Sequence, residues 1–161
     1  MTRPDELVLL PRAAEAIARL NAARCRAIVV TNQRGVALGR IGEDDLTAVH
    51  RRLEAELAKA GAHLDGIYAC THSERACHCR KPETGLFARA RSDDPRIDYA
   101  DSTVIGDSWR DMEAAAALGC RRVLIADPLR RRDQARVSRV PVEHVAASLW
   151  DAVEWMLRPL V

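Results

Sequence analysis

Cys70, His72, Cys77 and Cys79 lie within ten positions of one another, and Arg80, Lys81 and Pro82 follow directly. Three soft thiolates and one imidazole, spaced Cys-x-His and then Cys-x-Cys, suit a closed tetrahedral zinc site. Such a site is structural rather than catalytic, because no position is left for water. His78 is a rival ligand, but Cys77 and Cys79 flank it and His72 has the better spacing. The ordinary alternative is a reduced cysteine loop without metal. A metal here would stiffen the loop and so fix Arg80 and Lys81.

Other residues point to phosphate chemistry. Lys81 supplies a point charge suited to a phosphoryl group. Thr31 and Asn32 offer a hydroxyl, an amide and backbone N–H groups to an anion. Asp107 and Asp111 stand four apart, a spacing that places both near a helix start and suits Mg²⁺ held through oxygen. Each has a plainer explanation: a solvated lysine, a strand-end cap, and helix-capping aspartates. Their order along the chain is what joins them.

The elements that must position these groups alternate between two periods. The pattern predicts helices over 6–20, 43–60, 84–91, 110–118 and 148–157, from apolar residues at helical spacing. In the first, Leu10, Ala14, Ile17 and Leu20 share one face. Short apolar runs at 27–30, 65–69, 102–105 and 122–126 predict buried parallel strands, with a short edge strand over 142–145. Thr31 then opens a polar loop over 31–35. Gly61 and Gly119 are helix stops. Strand and helix in alternation predict one α/β domain over 1–161. Thr31, Asp107 and the Cys70–Lys81 loop each follow a strand at the carboxyl edge, where open parallel sheets bind ligands.

Composition narrows the classes. The 161 residues are 48% apolar with mixed charge, which indicates a globular chain rather than a disordered one. A formal net charge of +2 gives no electrostatic reason for binding nucleic acid or an anionic membrane. The run Arg130–Arg132 reads as a solvated surface connection. No apolar run approaches a membrane span, and the polar start does not read as a signal peptide. A reducing cytoplasm is the expected compartment. Of the five cysteines, Cys25 and Cys120 are expected to be buried structural thiols.

Taken together, residues 28–37, Leu64 to Tyr68, Cys70 with His72, Cys77 to Pro82, and Val104 to Ser108 with Asp111 resemble the haloacid dehalogenase-like (HAD) phosphatases. The resemblance is to the zinc-loop subfamily of D,D-heptose 1,7-bisphosphate phosphatase and the histidinol-phosphatase domain. It runs from about Pro4 to Asp127. It implies a three-layer Rossmann-like parallel sheet with a zinc loop in place of a cap, and a Mg²⁺-dependent phosphomonoesterase working through an aspartyl-phosphate. Thr31 would then hydrogen-bond the transferring group, Lys81 neutralise it, Asp107 ligate Mg²⁺, and Asp111 orient Lys81 or the metal's shell. Asn32, Gln33, Arg34 and Arg80 would hold the rest of a small phosphorylated sugar. The full-length form would be a monomer.

One expected element is absent. The family opens with a strand ending Asp-x-Asp-Gly, whose first Asp is the nucleophile and whose second is the acid/base, and no Asp-x-Asp pair occurs in the 161 residues. Asp5 is not a substitute, because it precedes a helix rather than following an apolar strand. By resemblance the strand belongs at the centre of the sheet, between those ending near Thr31 and Asp107. The expectation is therefore a start assigned too far downstream or a truncated chain, one that is unstable alone or closes its gap by rearrangement or by pairing with another. Heptose 1,7-bisphosphate is the first substrate implied and histidinol phosphate the second. A nucleophile-free zinc protein that binds phosphorylated ligands is the reading from another class.

Overall fold

The computed structural model describes residues 3–74, 76–126 and 140–158. They fall into two compact units, Met1–Arg80 and Lys81–Val161.

In the first unit a 3-10 turn at Pro4–Glu6 precedes α1 (Ala13–Ala22), β1 (Ile28–Asn32), α2 (Arg34–Ala37), α3 (Glu43–Ala58) and β2 (Gly66–Cys70). β1 and β2 are parallel, with Ile28 opposite Gly66 and Asn32 opposite Cys70. Two bonds of 2.8 Å fasten their starts, from Ala27 N to the Asp65 carboxylate and from Asp65 N to Ala27 O. A parallel pair needs a crossover, and α3 supplies it. Leu46 and Val49 of α3 pack with Ile41, Val36 and Ala69. The acids Glu43, Asp44 and Asp45 in its first turn complement the helix dipole. Gly61, at φ +69, ends the segment in the left-handed region as expected.

Three expectations are corrected here. The first helix begins at Ala13, not at residue 6, and Leu10 is 74% exposed rather than on a buried face. Pro11 is the reason: its ring disfavours helical geometry in the residue before it, so 7–10 stay outside the helix. β1 also runs on through Thr31 and Asn32, because both keep their register with Ala69 and Cys70. Cys25 is half-buried, whereas Cys120 is buried as expected.

The second unit holds α4 (Gly85–Asp93), β3 (Thr103–Gly106), α5 (Trp109–Leu118), β4 (Arg121–Ile125), β5 (His144–Ala146) and a closing helix, α6 (Leu149–Met156). Its sheet is parallel in the order β3-β4-β5, so β5 is an edge strand. Successive residues of β4 face opposite sides. Leu124 packs with Met112 of α5, while Val123 packs with Ala152 of α6. Helices therefore cover both faces, which accounts for the unbroken apolar run. Ser148 Oγ caps α6 by accepting from Asp151 N at 3.1 Å. β1 and β3 each lie at one end of their own sheet, and no ladder joins them among the described residues. The Arg130–Arg132 run lies outside the described residues.

Arg122 and Glu143 join β4 to the segment before β5. Arg122 N and Nε donate to Glu143 Oε2 at 2.6 and 3.1 Å, and Nη2 donates to Oε1. The side-chain hydrogen bonds from Arg122 hold the Glu143 carboxyl at about 2, well below the usual carboxylate range. A depressed folded-state pKa gives stability that is present above the unfolded value. That stability is lost as pH falls through the folded one. The urea midpoint should thus decline between about pH 4.5 and pH 2, and Glu143→Gln should flatten that part of the profile. A variant profile parallel to the native one would refute the assignment.

Candidate active site and metal centre

In the first unit Thr31 occupies the penultimate position of β1. Its hydroxyl accepts from Gln33 Nε2 at 3.3 Å. Gln33 N donates to Cys70 O at 2.7 Å, so the turn after β1 is tied to the last residue of β2. Asn32 lies opposite Cys70. Arg34 opens α2, and its Nη1 reaches Glu74 Oε1 at 3.2 Å. Arg80 Nη1 is buried without a hydrogen-bond partner among the described residues, a donor that an anion would complete.

Cys70, His72, Cys77 and Cys79 come together with all four ligand atoms within 4.8 Å. Individual separations are 3.8 Å for Cys70–His72, 3.6 Å for Cys70–Cys77, 3.3 Å for His72–Cys79 and 3.1 Å for Cys79–Cys77. Ligand atoms around a tetrahedral ion with bonds of about 2.3 Å stand roughly 3.8 Å apart, so the donor set fits zinc in number, softness and spacing. His72 belongs to the group and His78 does not. All the cysteines are free thiols. Burial opposes ionisation of Cys77, yet hydrogen bonds from Cys79 and Cys70 outweigh it and bring the thiol down to about 6. Burial and the neighbouring thiols push Cys79 up to about 12. One negative charge settles and the next is repelled, a conflict that a divalent cation resolves.

In the second unit Lys81 Nζ meets Asp111 Oδ1 at 2.6 Å, with the side chains only 13% and 9% exposed. The other oxygen of Asp111 accepts from Ser108 N at 3.2 Å and from Ser108 Oγ at 2.7 Å. Asp111 is therefore a helix cap and a lysine partner at once. Asp107 sits half-buried between the end of β3 and the start of α5. Glu74 went unnoticed in the sequence, and Gly106 and Ser108 were read only as parts of the strand-end motif, with no role of their own. The Ser108–Asp111 capping spacing was a usable signal for Ser108 alone.

A model described as HAD-hydrolase-like matches residues 78–152. The D-glycero-beta-D-manno-heptose-1,7-bisphosphate 7-phosphatase of Bordetella bronchiseptica is 40% identical over 124 residues, covering 76% of this chain and 68% of that protein. The chain belongs to the HAD-like phosphatase family. A D-glycero-alpha-D-manno-heptose-1,7-bisphosphate 7-phosphatase from Mycobacterium tuberculosis is 39% identical over 122 residues, covering 72% of this chain and 64% of that one. The crystal structure of the B. bronchiseptica D,D-heptose 1,7-bisphosphate phosphatase, complexed with magnesium and phosphate, superposes with a TM-score of 0.88. Its identity is 34%, and the match covers 97% of this chain and 87% of that one. No helix among the described residues is long and apolar enough to cross a membrane.

Among the described glycines of this HAD-like phosphatase, Gly106 is the most crowded. A Cβ there would meet Asp111 Cβ at 2.5 Å, Cγ at 2.6 Å and Oδ2 at 2.7 Å. Gly106→Ala must displace the carboxylate that holds Lys81 and caps α5. The expected loss in stability is about 1–3 kcal/mol, as for overpacking elsewhere. Chemical denaturation of the variant checks it, and an unchanged midpoint would show that the turn yields freely.

Proposed function

We propose that the chain is the substrate-binding and charge-stabilising part of a D-glycero-D-manno-heptose 1,7-bisphosphate 7-phosphatase, a phosphomonoesterase. The Lys81–Asp111 pair carries the reading. A lysine withdrawn from water and held by a carboxylate beside a strand end is poorly explained as a surface charge. It is well explained as a fixed cation for a phosphoryl group.

In this reading Thr31 donates its hydroxyl to the transferring phosphoryl oxygen, and Lys81 neutralises charge on that group. Asp111 orients Lys81. Asp107 is the carboxylate that would hold Mg²⁺, which when bound stabilises charge on the phosphoryl oxygens. Asn32, Gln33, Arg34 and Arg80 hold the non-reacting part of the sugar bisphosphate. Cys70, His72, Cys77 and Cys79 hold a structural Zn²⁺, and so set the direction of Arg80. The attacking carboxylate belongs to an Asp-x-Asp strand outside residues 1–161, and the full enzyme acts as a cytoplasmic monomer. Relatives named for the α and the β anomer match almost equally well, which favours neither.

Phosphate release from heptose 1,7-bisphosphate with Mg²⁺ tests the reading. Residues 1–161 should release none, and the same chain preceded by an Asp-x-Asp-Gly strand should release it. Faster release from histidinol phosphate by the extended chain would move the reading to that substrate. The lack of any Asp-x-Asp pair favours one further alternative, a zinc protein that only binds phosphorylated ligands. Ligand binding with no turnover by either form would support it.

A further inference from the structure

Glu74 has no place in the chemistry above, yet it is the group that Arg34 grips across forty positions of sequence, at 3.2 Å. Glu74 lies two residues beyond His72 and three before Cys77, inside the metal loop. Arg34 stands next to Gln33, which is bonded to both the Thr31 hydroxyl and the Cys70 carbonyl. We propose that Glu74 is a positioning residue. It turns the Arg34 guanidinium to face a phosphate on the Thr31–Arg34 turn, and thereby couples anion binding there to metal retention at the Cys70–Cys79 loop. The proposal rests on the phosphatase reading.

The pair is half exposed on both sides, 50% and 53%. Exposed ion pairs add little to stability, so the consequence of this one is orientation. Glu74 engages Nη1 alone, and a guanidinium has five N–H donors, so an anion can be held beside it. Two independent links, the Gln33–Cys70 backbone bond and the ion pair, join the same two loops. With metal bound, the loop is stiff and Glu74 has a fixed place. With an anion on Arg34, the pair is steadied from the other side. Coupling of this kind is reciprocal: what the metal does for phosphate, phosphate does for the metal.

The test is zinc transfer from the zinc-loaded chain to a chromogenic chelator, with and without inorganic phosphate, in the native protein and in Glu74→Gln and Arg34→Gln. Phosphate binding is followed separately by ³¹P NMR. Phosphate should slow transfer from the native chain by about two- to fivefold, the range an exposed pair supports. Each variant should bring that ratio close to one while still binding one zinc. Because free phosphate acts on released zinc alike in all three proteins, the difference between them reports the link. Bound phosphate with equal slowing in native and variants, or with no slowing at all, would overturn the proposal alone. No phosphate binding to the native chain would overturn it together with the phosphatase reading.

Discussion

Lys81→Met should lower kcat by about 10²–10³-fold, with a smaller change in KM, in a chain that carries the Asp-x-Asp strand. Removal of one preorganised charge-stabilising donor has effects of that size. Methionine keeps most of the lysine volume, so packing beside Asp111 survives while the charge does not. The variant should also lose stability, because Asp111 is 9% exposed at its side chain and would keep an uncompensated carboxylate. Breaking a buried pair from one side typically costs about 3–5 kcal/mol. Asp111→Asn separates the two roles of that residue. An amide oxygen still accepts from Ser108, so the α5 cap is retained, while the countercharge on Lys81 is gone. The expected result is a larger effect on kcat than on the denaturation midpoint. Near-native kcat in Lys81→Met would remove the lysine from the mechanism.

Removal of the metal is the second large effect. The purified chain should carry about one zinc, and Cys79→Ser should carry almost none, since a tetrahedral site keeps little affinity after losing a thiolate. Metal binding supplies folding energy directly where ligands have no other reason to converge. Cys77 and Cys79 stand 3.1 Å apart without a disulfide, and with the metal removed only weak thiol hydrogen bonds hold them there. Amide exchange should therefore speed up across 72–80 on chelation, while β1–β2 and the β3-β4-β5 sheet keep their protection. Those sheets stand on apolar packing and on ladders that involve the cluster only at Cys70, the last residue of β2. Unchanged exchange in the loop after metal removal would make the cluster incidental.

Much of this was readable in the chain because the informative signals are local. Apolar runs gave the strands within one or two residues, since burial on both faces leaves no other composition for them. The spacing of Cys70, His72, Cys77 and Cys79 likewise pointed to a cluster whose ligand atoms the fold brings together. The errors fall where a neighbour decides. Pro11 displaced the first helix although the apolar spacing continued through it. Thr31 and Asn32 read as loop because their polarity outweighed a pairing with Ala69 and Cys70 that only the fold reveals. Glu74 could not be found at all. Its partner lies forty positions away, and an isolated glutamate in a polar loop has no pattern. Gly106 was read only as part of the strand-end motif, since the side chain that crowds it comes from the first turn of the following helix.

Asp111 serves two masters with its two oxygens, one on Lys81 and one on Ser108. On the proposed function, a laboratory selection for heat resistance and a selection for faster turnover would press on the same atom pair. Variants that improve one trait by moving this carboxylate would forfeit the other. Progress under joint selection has to come from substitutions elsewhere, with 106, 108 and 111 changing together or not at all.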